Sequence, residues 1–276
     1  MRVYVSSDIE GVAGVVSADH TVPSGGIEYQ RARKLMTAEV NAAVRAAFDA
    51  GAGEVWVNDA HGPNTNLLVE ELDERVELLT GKPKLFNMVH GVDQGFDAAL
   101  FLGYHARTGT AEAVLDHAYL GSVGYDLHLN GMPCGEFALN AMLAGAHGVP
   151  VVVVSGDDKV AAEARALLPR IEVATVKQAL SRTAARTLTP AAARSAIAGA
   201  VRRALSADRR LDVLEPPEPP YVVEVTFLRS TMADVAAVMP GVERVDGRTV
   251  RWTGGDDFLE AFRACRALLL LGSTAL

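Results

Sequence analysis

The sequence predicts an α/β fold: a mainly parallel sheet with helices on both faces, plus a smaller C-terminal α+β subdomain. Short apolar runs alternate with Ala-rich stretches of helical length, the order expected when each parallel strand returns through a covering helix. The run VPVVVVSGDD at 149–158 is four valines deep and ends in turn and helix-cap residues, as a strand buried on both faces should. The run EPPEPP at 215–220 then breaks the alternation, because four prolines in six residues suit neither a helix nor a central strand.

In chain order, the apolar runs place strands over 2–7, 54–58, 98–103, 150–155 and 172–176. Helical stretches fall at 28–50, 135–147, 159–168 and 190–206. Beyond the prolines come the strand-like YVVEVTFL, a helix over 232–239, a hairpin-like VERVDGRTVRWTG and a closing helix. The expected organisation is an α/β metal-binding catalytic domain over 1–214, a proline-rich linker over 215–220 and a small α+β subdomain over 221–276.

With 276 residues, 49% of them hydrophobic and 22% charged, the chain can bury a substantial core. Its net charge of −8 gives no electrostatic reason to bind nucleic acid or an anionic membrane. Two cysteines, Cys134 and Cys265, exclude a disulfide framework and a Cys-x-x-Cys metal knuckle. The opening MRVYVSSDIE lacks a signal-peptide core. The apolar run FLEAFRACRALLLLG, interrupted by Arg263 and Arg266, falls short of the roughly 20 residues that span a bilayer. Its Phe258, Phe262, Cys265 and Leu269 recur at helical spacing, so it reads as an amphipathic helix packed on a sheet or a subunit neighbour. A cytoplasmic enzyme is the default expectation.

Ligands of a parallel sheet gather outside the carboxyl ends of its strands, and three strands end there on metal-ligating residue types. The first closes on Ser7-Asp8-Ile9-Glu10, where residues two apart on an extended chain face the same way. The second closes on Asn58-Asp59-Ala60-His61 and the third on Gly103-Tyr104-His105. Each residue alone has an ordinary structural use, as helix cap, loop acid or core imidazole; their convergence points to a metal. With Glu136 near a helix start, the set holds three carboxylates and two imidazoles. Two divalent ions and a bridging hydroxide balance the three acids, and five ligands serve two ions if one carboxylate, here Asp8, bridges. Sequence signatures of zinc proteases with His-Glu-x-x-His, of serine-hydrolase elbows and of phosphate or dinucleotide loops are absent. Cys134 reads as a small buried residue rather than a nucleophile. Asp157 and Asp158 read as helix caps, the alternative being a role in supporting the site's ligands or in holding substrate. From its spacing alone, His117 is as well explained by a surface loop as by acid–base work.

The Ser-x-Asp-x-Glu-Gly at 6–11, Asn-Asp-Ala-His at 58–61, Gly-Tyr-His-Ala at 103–106 and Gly-Glu at 135–136 together resemble the zinc D-aminopeptidase family of the dipeptide-transport operon type. The likeness extends over essentially the whole chain, including Ser-Gly-Asp-Asp at 155–158 and the proline-rich linker. It implies two Zn2+ ions per chain, bridged by Asp8, with Glu10 and His105 completing one site and His61 and Glu136 the other. It further implies that His117 is catalytic, that short peptides are the substrates, and that the chain self-associates into a ring-stacked decamer. The sequence departs from the family around His117, where Asp116 precedes it and Leu-Gly-Ser-Val-Gly follows at 120–124.

The function expected is therefore a dinuclear zinc aminopeptidase that removes the N-terminal residue from short peptides or aminoacyl amides, those containing D-amino acids included. The rival readings are another two-metal hydrolase, acting on phosphoesters or non-peptide amides, and a non-catalytic metal-stabilised oligomeric scaffold. A phosphoesterase needs basic residues for phosphate, and in sequence only Arg107 adjoins the candidate ligands.

Overall fold

The computed structural model describes residues 1–206 and 211–276. Its main sheet has seven strands: β1 (Arg2–Ser7), β2 (Glu54–Asp59), β3 (Val76–Leu79), β4 (Ala98–Tyr104), β7 (Val151–Asp157), β8 (Glu172–Ser181) and β9 (Ala184–Thr187). Their spatial order is β3-β2-β1-β4-β7-β8-β9, and every pairing is parallel except β8–β9. The chain leaves β1 toward β2 and β3, then returns to β1's other side as β4. The order therefore reverses between β1 and β4, and a crevice at their carboxyl ends follows from that reversal.

Both faces are covered. Helices α1 (Ile27–Asp49) and α4 (Pro190–Ala204) bury Met36, Val40, Val44, Ile197 and Val201 against Val3, Val5, Leu100 and Val153. On the opposite face α2 (Glu136–Ala146), α3 (Asp158–Leu167) and α6 (Phe258–Ser273) pack on Tyr4, Phe101, Tyr104 and Val154. The helical repeat read from the closing segment is real: Phe258, Phe262, Cys265 and Leu269 are all buried. Among the described residues no helix is long and apolar enough to cross a membrane.

A second, antiparallel sheet runs β11-β12-β10-β5-β6, built from β5 (Gly124–Leu129), β6 (Met132–Pro133), β10 (Val222–Phe227), β11 (Val242–Arg244) and β12 (Thr249–Thr253), with α5 (Ser230–Ala236) beside it. Strand β10 pairs with both β12 and β5. The segment 221–276, expected as a unit of its own, thus completes its sheet with strands from ahead of the prolines. Without β5, one edge of β10 would be left unpaired, and unpaired edges are costly or sticky. The sequence does mark β5, which the strands expected above leave out: GYDLHL alternates apolar and polar residues and runs into Asn130-Gly131, whose positive φ angles make the two-residue turn to β6.

Candidate metal centre

Six side chains meet at the carboxyl ends of β1, β2 and β4, and the local backbone explains how each arrives. Asp8 and Glu10 come together by a turn rather than by strand alternation, since β1 stops at Ser7. The Ile9 N–H donates to Asp8 Oδ1 (2.9 Å), and the Val12 N–H to the Ile9 carbonyl (3.1 Å). This turn lies directly on the end of β4: a Cβ on Gly11 would fall 2.0 Å from the Tyr104 carbonyl oxygen. Gly103, at φ +68°, has the Asp8 carbonyl 2.2 Å from where its own Cβ would sit. Only glycine allows this approach at both places, and it brings His105 up to Asp8 and Glu10.

A buried lysine fixes the same turn. Lys177, on β8, donates to the carbonyls of Glu10, Val12 (3.1 Å) and Val15 (2.6 Å). Burial pushes its ammonium down to about 8. Glu39, also buried, accepts from the Ala13 N–H at 3.0 Å. A single lysine in a strand carries no local signal that places it behind a residue 167 positions away.

His61 lies two residues past β2, and its Nδ1 stands 3.1 Å from Asp8 Oδ1 and 2.9 Å from Glu10 Oε2. His105 Nε2 faces Asp8 Oδ2 (3.6 Å) and Glu136 Oε2 (3.3 Å). Glu136 opens α2, where the helix N-terminus favours a carboxylate, and its Oε1 accepts the Tyr119 N–H at 2.6 Å. His117 comes from the β4–β5 connection and stacks on His105, with ring centroids 4.1 Å apart. Its Nε2 is 3.7 Å from Glu136 and 4.0 Å from Glu10. The connection is held on both sides of His117 by left-handed backbone at Leu115 and Tyr119, and Asp157 accepts the Val114 N–H at 3.0 Å while capping α3. Asp157 is therefore both the expected cap and a support for the loop that presents His117.

The three histidines share one arrangement. His61 Nε2 meets the Thr21 carbonyl (2.7 Å), His105 Nδ1 the Ala106 carbonyl (3.0 Å) and His117 Nδ1 the Leu115 carbonyl (2.8 Å). A carbonyl only accepts, so each of these nitrogens carries a proton, and the other ring nitrogen is turned toward the carboxylates. Asp8 Oδ2, Glu10 Oε2 and His105 Nε2 are buried and make no hydrogen bond among the described residues. Asp8, Glu10 and His105 offer atoms within 4.8 Å of one another, as do His105, His117 and Glu136. Three carboxylates buried together with imidazole nitrogens aimed at them suit a cation, because buried charge must be paired or coordinated.

The electrostatics agree. Burial, then Glu10, pushes the Asp8 carboxyl up to about 7. Burial opposes charge on His105, but Glu136 and the other acids outweigh it and raise the ring to about 10. Burial and then the adjacent His105 lower His117, which favours its neutral form. His117 is also the most open of the six, with 18% of its side chain exposed against 11% or less for the others. Cys134, by contrast, is buried with its thiol pushed up to about 12, unsuited to nucleophilic attack.

Residues 1–267 match the Peptidase_M55 family, described as D-aminopeptidase. A D-aminopeptidase of Bacillus subtilis (strain 168) is 40% identical over 264 residues, covering 96% of this chain and 95% of that protein. The solved structure of the Zn-dependent D-aminopeptidase DppA from Bacillus subtilis, a self-compartmentalizing protease, superposes with a TM-score of 0.93 at 38% identity, covering 99% of this chain and 98% of the other. Likeness of this extent in both sequence and structure places the chain in the Peptidase_M55 family of D-aminopeptidases.

Proposed function

We propose that this protein is a dinuclear zinc aminopeptidase that removes the N-terminal residue from short peptides or aminoacyl amides, D-amino-acid-containing ones included. The observation that carries the reading is the set of three backbone-anchored histidines aimed at Asp8, Glu10 and Glu136, in a chain whose 40% identical relative is a D-aminopeptidase. Asp8, Glu10, His61, His105 and Glu136 would hold the zinc ions. Asp8 is suited to bridge, since one oxygen lies toward His61 and the other toward His105. The compact trio of Asp8, Glu10 and His105 supports one of the two ligand pairings implied by the family resemblance; the pairing of His61 with Glu136 rests on that resemblance.

Zinc, when bound, supplies Lewis acidity toward the scissile carbonyl and toward water. The protein's own part is to fix the tautomer and direction of the ligand imidazoles, which the Thr21 and Ala106 carbonyls do for His61 and His105, while the surrounding acids make the site-facing nitrogens basic. His117 is the proton-handling group of this reading. Its Nδ1–H is tied to the Leu115 carbonyl, so Nε2 can take a proton from the attacking water and return it to the leaving amine.

The test is zinc-loaded protein against D- and L-aminoacyl amides and dipeptides, with and without chelator. Turnover should vanish with chelator and return with zinc, and washed protein should hold two zinc ions per chain. One ion or none would sink the dinuclear reading, and chelator-resistant turnover would sink the metal mechanism.

By the same reading the chain self-associates into a decamer, as the resemblance implies and as a self-compartmentalizing relative supports. Sedimentation should show a species near ten times the 29.2 kDa chain mass. A compact particle at the mass of one chain would contradict it.

A further inference from the structure

An open cavity of about 400 Å³ is lined in part by residues that adjoin the candidate centre's side chains in sequence or by a hydrogen bond. Ala60 and Gly62, the neighbours of His61, form one side. Tyr119, whose N–H donates to Glu136, forms another. Three cations line the cavity, Lys82, Lys84 and Arg266, and no lining residue is acidic. In a chain of net charge −8, such a local excess of positive charge needs an explanation.

Lys84 is already committed to the fold. Its ammonium donates to Asn58 Oδ1 and to the Asp59 carbonyl, each at 2.6 Å. Lys82 is different: it is exposed and, among the described residues, hydrogen-bonds only the Gly62 carbonyl, at 3.2 Å. Arg266 lies against the Tyr119 ring, 5.2 Å from its centroid, and meets no carboxylate within ion-pair distance among the described residues. A guanidinium placed over an aromatic ring and free of a carboxylate partner keeps N–H donors available and can bind a carboxylate through two parallel hydrogen bonds. Leu270, 52% exposed on the same wall, offers apolar surface next to that cation.

We infer that this cavity is the subsite for the free C-terminal carboxylate of a dipeptide substrate, with Arg266 as its main anchor and Lys82 as support. The inference rests on the aminopeptidase reading above and adds the substrate's other end to it. In a dipeptide the carboxylate lies one residue beyond the scissile bond, a reach of about 3.5 Å in an extended chain. A cationic wall adjoining the centre is where that group arrives. Leu270 then faces the C-terminal side chain. The device discriminates by length and by charge: a dipeptide fits, whereas a C-terminal amide loses the charge-assisted contact.

The test compares a dipeptide with its C-terminal amide on zinc-loaded wild type, R266Q, R266K and K82Q. Wild type should favour the dipeptide by about tenfold or more in kcat/KM, chiefly through KM. R266Q should raise KM for the dipeptide about tenfold, with kcat changed less than threefold, and should change KM for the amide less than twofold. R266K should recover part of the loss, K82Q should show a smaller one, and zinc content should not change. Equal KM for acid and amide in wild type, or equal losses on both in R266Q, would overturn the subsite. If wild type cleaves neither compound, the aminopeptidase reading fails, and calorimetry still decides the subsite: the dipeptide must bind the zinc-loaded protein more tightly than its amide. Inorganic phosphate binding through Arg266 more tightly than the dipeptide would reassign the cavity to phosphoesters and also overturn the inference.

Discussion

Asp8→Ala is expected to empty the centre of zinc and abolish turnover, the largest effect of any single substitution here. Asp8 Oδ1 is 3.1 Å from His61 and Oδ2 is 3.6 Å from His105, so one carboxylate faces both halves of the ligand set. Its removal leaves two divalent ions, four positive charges, against two acids. Loss of an outer partner of a metal ligand already lowers metal affinity by about 10–100-fold, and loss of a shared ligand should exceed that. The fold should survive, because burial and Glu10 already oppose ionisation of this carboxyl. Asp8→Asn gives the control: it preserves shape and the contact with the Ile9 N–H but loses the charge, and should also fail to hold zinc. Zinc analysis and thermal unfolding with and without chelator check both variants. Two zinc ions retained in Asp8→Ala would dispose of the bridging role.

His117→Ala should behave in the opposite way, holding both zinc ions while losing turnover. Loss of a proton-transfer or oxyanion-stabilising group costs about 100-fold or more in kcat, on the order of 3 kcal/mol of barrier. The geometry makes the experiment necessary, because His117, His105 and Glu136 themselves form a compact trio of ligand types. If His117 were a ligand, the variant would lose zinc along with activity and recover partly at high zinc. His105→Ala should do that. Near-normal turnover in His117→Ala would show that its ring only packs on His105, and the proton would then pass through a carboxylate such as Glu136 or through solvent.

Much of this molecule can be read from the chain alone, and the reason is local. Hydrophobic periodicity and strand-ending motifs depend only on neighbours in sequence, so the four α/β helices expected in the main domain lie within two residues of their observed ends. The same locality makes Asp8, Glu10, His61 and His105 legible, because each ends an apolar run. Strands β3 and β9 could not be read this way, being four residues each with no clear apolar run, whereas β5, alternating and followed by Asn130-Gly131, carries a local signal that the expected strands leave out. The expected pairing of Asp8 with Glu10 holds, but through a turn clamped by Lys177 and made possible by Gly11 and Gly103, not through an extended strand. His117 was ambiguous because nothing local marks it, and only folding stacks it on His105 and points its Nε2 at Glu10 and Glu136. In sequence Arg107 was the sole cation beside the candidate ligands; in space Lys82, Lys84 and Arg266 gather next to His61 from separate segments. Sequence by itself determined the main helices, the core strands of the parallel sheet and the residue types that are candidates to bind a metal. Which distant cations and carbonyls surround them was decided by tertiary structure, because such contacts are set by packing between segments that no local pattern connects.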